Sequence, residues 1–441
     1  MANFGFTPGG ADDSDDSDGS EEPVDFAAMM AQMQQQIQQQ FSMLGINGPG
    51  FTGSDEALPK NIVRDVSKKF TSSQSSAPVG QSDLAQIQQA FSIAETWLNE
   101  AVLFPQTPQS GNAALARTDW IDATLSGWQS AVEPLAVGLS AAIGELLDQA
   151  SIGEEESDAH PHSENPELAI PVGMISMLLK SFIGSLIATQ LGQAIGGLAS
   201  KVTGAHDVGL PLLDPAYPAL VPQNIREWST DLDIALDEVQ IFHALREASV
   251  ARLFSNNPWL VSYIRTAITD YGKGINIDME AIQEQAQRAL DESGGFDPTT
   301  PESLNIALNS GIFTPQETPA QRAALTKLET ALALIDGWCE EVVFLAAGNR
   351  LPNLNALQET LRRRRATSAP AQQLFSSLLG LQVSPRLTRE ATAFWTQVRE
   401  LKDIAARDQI WSGILPTADD LLTPESFLKS LEIPDDLSGL I

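Results

Sequence analysis

Phe242-His243-Ala244-Leu245-Arg246-Glu247-Ala248-Ser249-Val250-Ala251-Arg252-Leu253-Phe254 decides how this chain reads. The stretch reads as one continuous helix. A metal-gripping helix of the H-E-x-x-H kind puts His at i and i+4 on one face, with the Glu beside the first His as general base. Glu247 stands in that frame, but the ligand positions hold Arg246 and Val250. Arginine stays cationic and has no lone pair to give a metal. Valine has no donor atom at all.

Working outward, the chain is long enough at 441 residues to bury at least one large core. Its formal charge of -31 and pI of about 4.3 argue against a nucleic-acid or anionic-membrane partner, since either would repel it. Part of that acidity is local. Asp12, Asp13, Asp15, Asp16, Asp18, Glu21, Glu22 and Asp25 follow one another with no Lys or Arg between them, the composition of a solvated, disordered tail. Cys339 is the one cysteine, so neither a disulfide framework nor a thiolate zinc cage is available. The first residues carry no export signal, and the expected location is the cytoplasm.

Helix signals dominate. Ser82 can cap a helix whose apolar residues are Leu84, Ile87, Phe91, Ala94 and Leu98. Thr118 opens another with Trp120, Leu125 and Trp128, which Pro134 is expected to kink or break. Thr318-Pro319 begins a long helix through Leu325, Leu328, Leu332 and Ile335 to Val343. Asp278 and Pro301 mark shorter helices, and further ones are expected over 357–365, 371–379 and 388–406. From Ser181 to Ser200 there is no charge, a length that nominally crosses a bilayer. Polar residues dilute it, however, and Gly184, Ala188, Gly192, Gly196 and Ser200 recur every four residues. That stripe of small side chains predicts a tightly packed central helix instead of a membrane span. Short strands are expected at most near Val208–Leu213 and Gly380–Val383. The segment from Gly153 to Pro166 reads as a solvent loop. Phe26, Met30, Met33, Ile37, Phe41 and Leu44 recur at helical spacing between glutamine runs, so the Phe26–Leu44 helix is a candidate protein-binding surface.

Several stretches match one family together. They include Thr118-Asp119-Trp120-Ile121-Asp122-Ala123-Thr124, Ala188-Thr189-Gln190-Leu191-Gly192-Gln193-Ala194-Ile195-Gly196, Leu245-Arg246-Glu247-Ala248, Pro258-Trp259-Leu260, Leu361-Arg362-Arg363-Arg364-Arg365-Ala366 and Leu415-Pro416-Thr417-Ala418-Asp419-Asp420. The chain resembles the actinobacterial zincin-like metallopeptidase family, whose members are labelled hydrolases or zinc-dependent metalloproteases. The resemblance implies a mainly α, multi-helix zincin-like fold over residues 55–430. A disordered acidic tail with its Gln-rich helix (1–54) precedes that domain, and a short tail (431–441) follows it. A sister branch, associated with deazaflavin cofactor biosynthesis, keeps an intact H-E-x-x-H. The branch this chain resembles commonly has Arg before the Glu and often keeps His four residues after that Arg; Val250 departs from it further. The family's second metal-site helix carries a Glu-Gly pair, which corresponds here to Asp336-Gly337.

Two functional expectations follow. In the first, the zinc site is degenerate, Glu247 is a vestigial general base, no cofactor is needed, and the protein binds or scaffolds instead of cleaving. A buried Glu247 then needs a partner, expected from Arg246, Arg252 or the Arg362–Arg365 run. In the second, His243, Glu247 and Asp336 form a non-standard zinc site and the protein is an active peptidase or hydrolase. Arg246 beside such a metal disfavours it, since one cation repels another. The four arginines are expected to pair with the acidic surplus, because at most two consecutive helical residues share a face. No G-x-S-x-G elbow and no phosphate-binding G-x-x-x-x-G-K-[ST] loop is present.

Overall fold

A computed structural model describes residues 57–155, 172–274, 318–368 and 385–431. The chain divides into two units, Met1–Gly48 and Pro49–Ile441, and every described residue belongs to the second. The described residues form twelve α-helices and no strand. They are α1 (Lys60–Ser73), α2 (Gln81–Ala101), α3 (Arg117–Glu155), α4 (Val172–Ala199), α5 (Pro222–Ser229), α6 (Leu236–Asn256), α7 (Pro258–Lys273), α8 (Pro319–Ala347), α9 (Leu354–Ser368), α10 (Pro385–Leu401), α11 (Ile404–Gln409) and α12 (Pro424–Leu431). The Phe26–Leu44 helix, the helices at Asp278 and Pro301, the one over 371–379 and the strand near Gly380–Val383 lie outside the described residues, as does most of the Gly153–Pro166 loop.

The start signal at Thr318 works as the sequence predicts. The Thr318 hydroxyl accepts from the Gln321 N–H at 3.1 Å, and the Gln321 side chain accepts from the Thr318 N–H at 2.9 Å, a reciprocal cap with Pro319 at the first helical position. The resulting helix, α8, packs against α2, α6, α7 and α10. Its Trp338 meets Trp411 edge-on at 6.2 Å, and Trp411 stacks on Trp395 at 5.2 Å. All three indoles are fully buried.

The expected break at Pro134 does not occur, since α3 runs unbroken from Arg117 to Glu155. Proline deletes one bond of the ladder, but Trp128 and Val132 before it and Leu135 and Ala136 after it are all buried and hold both halves in place. Ser82 is not the cap of α2. Gly80 takes that place, and the Asp83 carboxylate accepts from its N–H at 3.3 Å. No strand forms at Val208–Leu213, within the limit of short strands at most that the sequence set. Gly209 N–H turns back to the His206 carbonyl (2.8 Å) and Leu212 N–H to Leu210 (3.0 Å). Burial still alternates over Asp207–Leu212, but these backbone bonds close within two or three residues and form no ladder with another segment.

The small-residue stripe on α4 receives α1. A β-carbon built on Gly192 would lie 2.7 Å from the Val66 Cβ, and one on Gly196 would lie 2.8 Å from the Ser67 carbonyl oxygen. Thr71 donates to the Gly196 carbonyl across the same contact, at 3.1 Å. No described helix is long and apolar enough to cross a membrane. Gly196→Ala forces α1 away from α4 and is expected to cost about 1–3 kcal/mol, the usual range for overpacking. A denaturant midpoint unchanged from wild type would contradict that contact.

Candidate functional site

Helix α6 presents His243, Arg246, Glu247 and Val250 to a cleft of about 760 Å³. Those spacings of three and four put them on one face of the helix. Helix α8 contributes Leu332, Ile335, Asp336, Cys339 and Glu340 by the same rule, and α9 contributes its arginines. The loop between α4 and α5 closes another wall.

Glu247 is buried and fully engaged with that loop. Its carboxylate accepts from the backbone N–H groups of Ala205 (3.1 Å), His206 (3.0 and 3.3 Å) and Ala219 (3.2 Å), and from His206 Nδ1 at 2.8 Å. Gly204 permits this approach, because a β-carbon there would stand 2.3 Å from Glu247 Oε2. The loop is crosslinked around the carboxylate. Ala205 N–H donates to the Ala219 carbonyl and Val221 N–H to Thr203, both at 2.9 Å. Asp207 accepts from the Thr203 N–H at 2.9 Å and from its hydroxyl at 3.1 Å.

The arginines expected to neutralise Glu247 have other partners. Arg252 bonds to Glu95, to the Phe104 carbonyl and to Asn99, which ties α6 to α2. Arg246 Nη2 donates to Asp336 Oδ1 at 2.6 Å, and Arg365 donates to the same oxygen and to Asp207 Oδ1 at 3.1 Å. Burial works against ionising Asp336, but Arg365 and Arg246 outweigh it and hold the carboxyl well below the usual carboxylate range. Burial likewise opposes the charge on Arg365, and Asp336 with Asp207 reverses that and holds the guanidinium more firmly protonated than usual. Of the remaining arginines of α9, Arg362 and Arg363 pair with carboxylates as the sequence reading expects, and Arg364 turns to Trp228. Arg362 binds Glu340, Arg363 binds Glu359 at 2.7 Å, and Arg364 donates to the Trp228 carbonyl at 2.8 Å while lying 4.5 Å over the Trp228 ring.

His243 is buried edge-on against Trp228, with ring centroids 4.8 Å apart. Burial depresses its pKa to about 3. Asp207 pulls the other way, and Arg246, Arg365 and Arg364 reinforce the depression. Its Nε2 has no hydrogen-bond partner among the described residues, nor has that of His206. Cys339 is buried against the Ser249 hydroxyl, 3.2 Å away, and burial pushes its thiol pKa up, so it lacks the thiolate a nucleophile needs.

Among the described residues, no three His, Cys, Asp or Glu side chains converge as a metal would require. His243, Glu247 and Asp336 line one cleft, but they face different partners. A tetrahedral zinc centre needs three or four donor atoms around one point. In this site the α6 positions supply a guanidinium and an isopropyl group, and Asp336 is bound by two guanidinium groups. The residues present do not fit the ion.

Zincin-like metallopeptidases, as a family model, match residues 60–428. The chain belongs to the zincin-like metallopeptidase family. This member is also similar in fold to the crystal structure of a hydrolase candidate with a novel fold from Chloroflexus aurantiacus. The TM-score is 0.56 at 17% sequence identity, over 85% of this chain and all of the other. No curated protein matches the chain.

Sequence reasoning missed His206 as the partner of Glu247. The two lie 41 residues apart on a loop and a helix, and no spacing rule connects them. One signal was available: a buried carboxylate must find donors, and His206 with Gly204 sits in a loop close to the close-packed α4.

Proposed function

We propose that this family member does not hydrolyse peptides through zinc, and that its cleft serves binding or scaffolding. One observation carries the reading. The guanidinium of Arg246, at the first ligand position of the metal-site frame, is ion-paired with Asp336, the residue corresponding to the family's second metal-site helix. A fixed internal cation supplies the positive charge that a metal would bring. Glu247 supports the same reading, because its oxygens accept four different N–H donors. All four donors reach Oε1 and the His206 N–H alone reaches Oε2, so the carboxylate is held as the anchor of a loop.

Two measurements test this. Elemental analysis of purified protein, after dialysis against zinc and removal of loose metal, is expected to give far less than one zinc per chain. Stoichiometric zinc together with peptide hydrolysis that Glu247→Gln abolishes would overturn the proposal in favour of an active site built from His243, Glu247 and Asp336. In the anchoring role, Glu247→Gln exchanges one acceptor oxygen for an NH2 that faces N–H donors, and it removes the charge from the remaining bonds. It is expected to cost about 2 kcal/mol of stability. A variant as stable as wild type would remove the anchoring role.

A further inference from the structure

The cleft carries a small excess of cations in its lining. Its volume of about 760 Å³ is typical of a small-molecule site. In a chain of net charge -31 its lining carries seven Lys and Arg against six Asp and Glu, so the surplus is locally reversed. Most of those cations are committed to carboxylates, but Arg389 on α10 is exposed and has no hydrogen-bond or ion-pair partner among the described residues. Arg362 faces the same cleft with its side chain 47% exposed, although it binds Glu340. Burial lowers the Arg362 pKa, and the neighbouring charges of Arg246 and Arg389 lower it further, so these guanidinium groups repel one another across the opening. An oxyanion between them would remove that repulsion, since arginine forks match carboxylate and phosphate geometry.

Two further observations point to a ligand. His206 and His243 line the cleft, are 3% and 2% exposed, and leave their Nε2 atoms without partners. Buried polar atoms are ordinarily satisfied, so each is an unfilled hydrogen-bonding position. The α8 wall of the cleft is apolar at Leu332 and Ile335.

We propose that the cleft binds a small amphipathic oxyanion, its carboxylate or phosphate head between Arg362 and Arg389 and its apolar body against Leu332 and Ile335. This rests on the reading that the cleft binds and does not cleave.

Isothermal titration of the full chain with octanoate, octyl phosphate and octanol, below micellar concentrations and in EDTA, tests it. At least one octyl anion is expected to saturate a single site, with octanol about tenfold weaker or worse, and the tighter anion names the head group. Arg389→Gln, at an exposed position that leaves no buried partner behind, should weaken that anion about tenfold, the worth of one charge-assisted contact. Arg386→Gln, on the same helix but paired with Glu390 outside the cleft, should leave the affinity as it is. Equal binding of octanol, no saturation by either anion, or an unchanged affinity in Arg389→Gln would each overturn the proposal. EDTA separates this failure from that of the non-catalytic reading. A null titration in EDTA alongside zinc-free protein sinks only the ligand, whereas binding that appears only when zinc is supplied sinks both.

Discussion

Arg365→Met is expected to destabilise the protein by about 3 kcal/mol, seen as a lower midpoint of chemical unfolding. Arg365 joins Asp336 on α8 to Asp207 in the α4–α5 loop, and all three side chains are less than one-third exposed. Removing one member of such a set leaves carboxylates short of a counter-charge in a poorly solvated place, typically a loss of about 3–5 kcal/mol. The lower end applies, because Asp336 keeps Arg246 and Asp207 keeps Thr203. The converse substitution sharpens the test. Replacing Arg246, Asp336 and Arg365 together by Met, Leu and Met removes every charge of the set except Asp207, which keeps its two bonds to Thr203, and should recover part of the loss, since apolar replacement of a buried ion network is often near neutral. If the single variant is as stable as wild type, the network contributes nothing. If the triple variant is no better than the single one, these side chains do more than neutralise one another.

Much of the fold was legible because helix rules are local. The Thr318-Pro319 start, the three-and-four spacing on α2 and the small-residue stripe on α4 each depend on residues within a few positions, and each came out as read apart from the cap of α2. The absence of imidazoles at the two ligand positions, 246 and 250, was equally visible. The failures are of two kinds. The break allowed for at Pro134 did not occur because burial on both sides of it overrode a local preference. The partners of Glu247 were misjudged because the nearest charge in sequence is not the nearest in space. Arg246 and Glu247 are adjacent, but side chains at i and i+1 do not face each other on a helix, and each is satisfied by a different wall of the cleft.

The same geometry makes stability depend on pH through His243. Its folded-state pKa of about 3 lies below the ordinary value of 6.5, because burial, and after it the charges of Arg246, Arg365 and Arg364, oppose protonation more than Asp207 favours it. Above pH 6.5 the imidazole is neutral in both the folded and unfolded chains and its titration has no effect. Below that value the unfolded chain takes up the proton and the folded chain does not, so stability falls with decreasing pH, by about 1.4 kcal/mol per unit. Between pH 6.5 and pH 4.5 this amounts to roughly 2–3 kcal/mol. Asp336 and Asp207, whose pKa values are depressed in the fold, do not add to the loss in that window. Their contribution is fully present above the unfolded carboxylate range and is lost only as the pH falls below it, through the depressed folded-state values. The measurement is the denaturant midpoint of wild type and His243→Phe across pH 4.5–7.5. Phenylalanine keeps an aromatic ring against Trp228 and cannot titrate, so its profile should be flatter by that 2–3 kcal/mol. Parallel profiles would show that the imidazole takes up its proton in the folded chain, so that either Asp207 outweighs the arginines or the cleft admits enough water to solvate the charge.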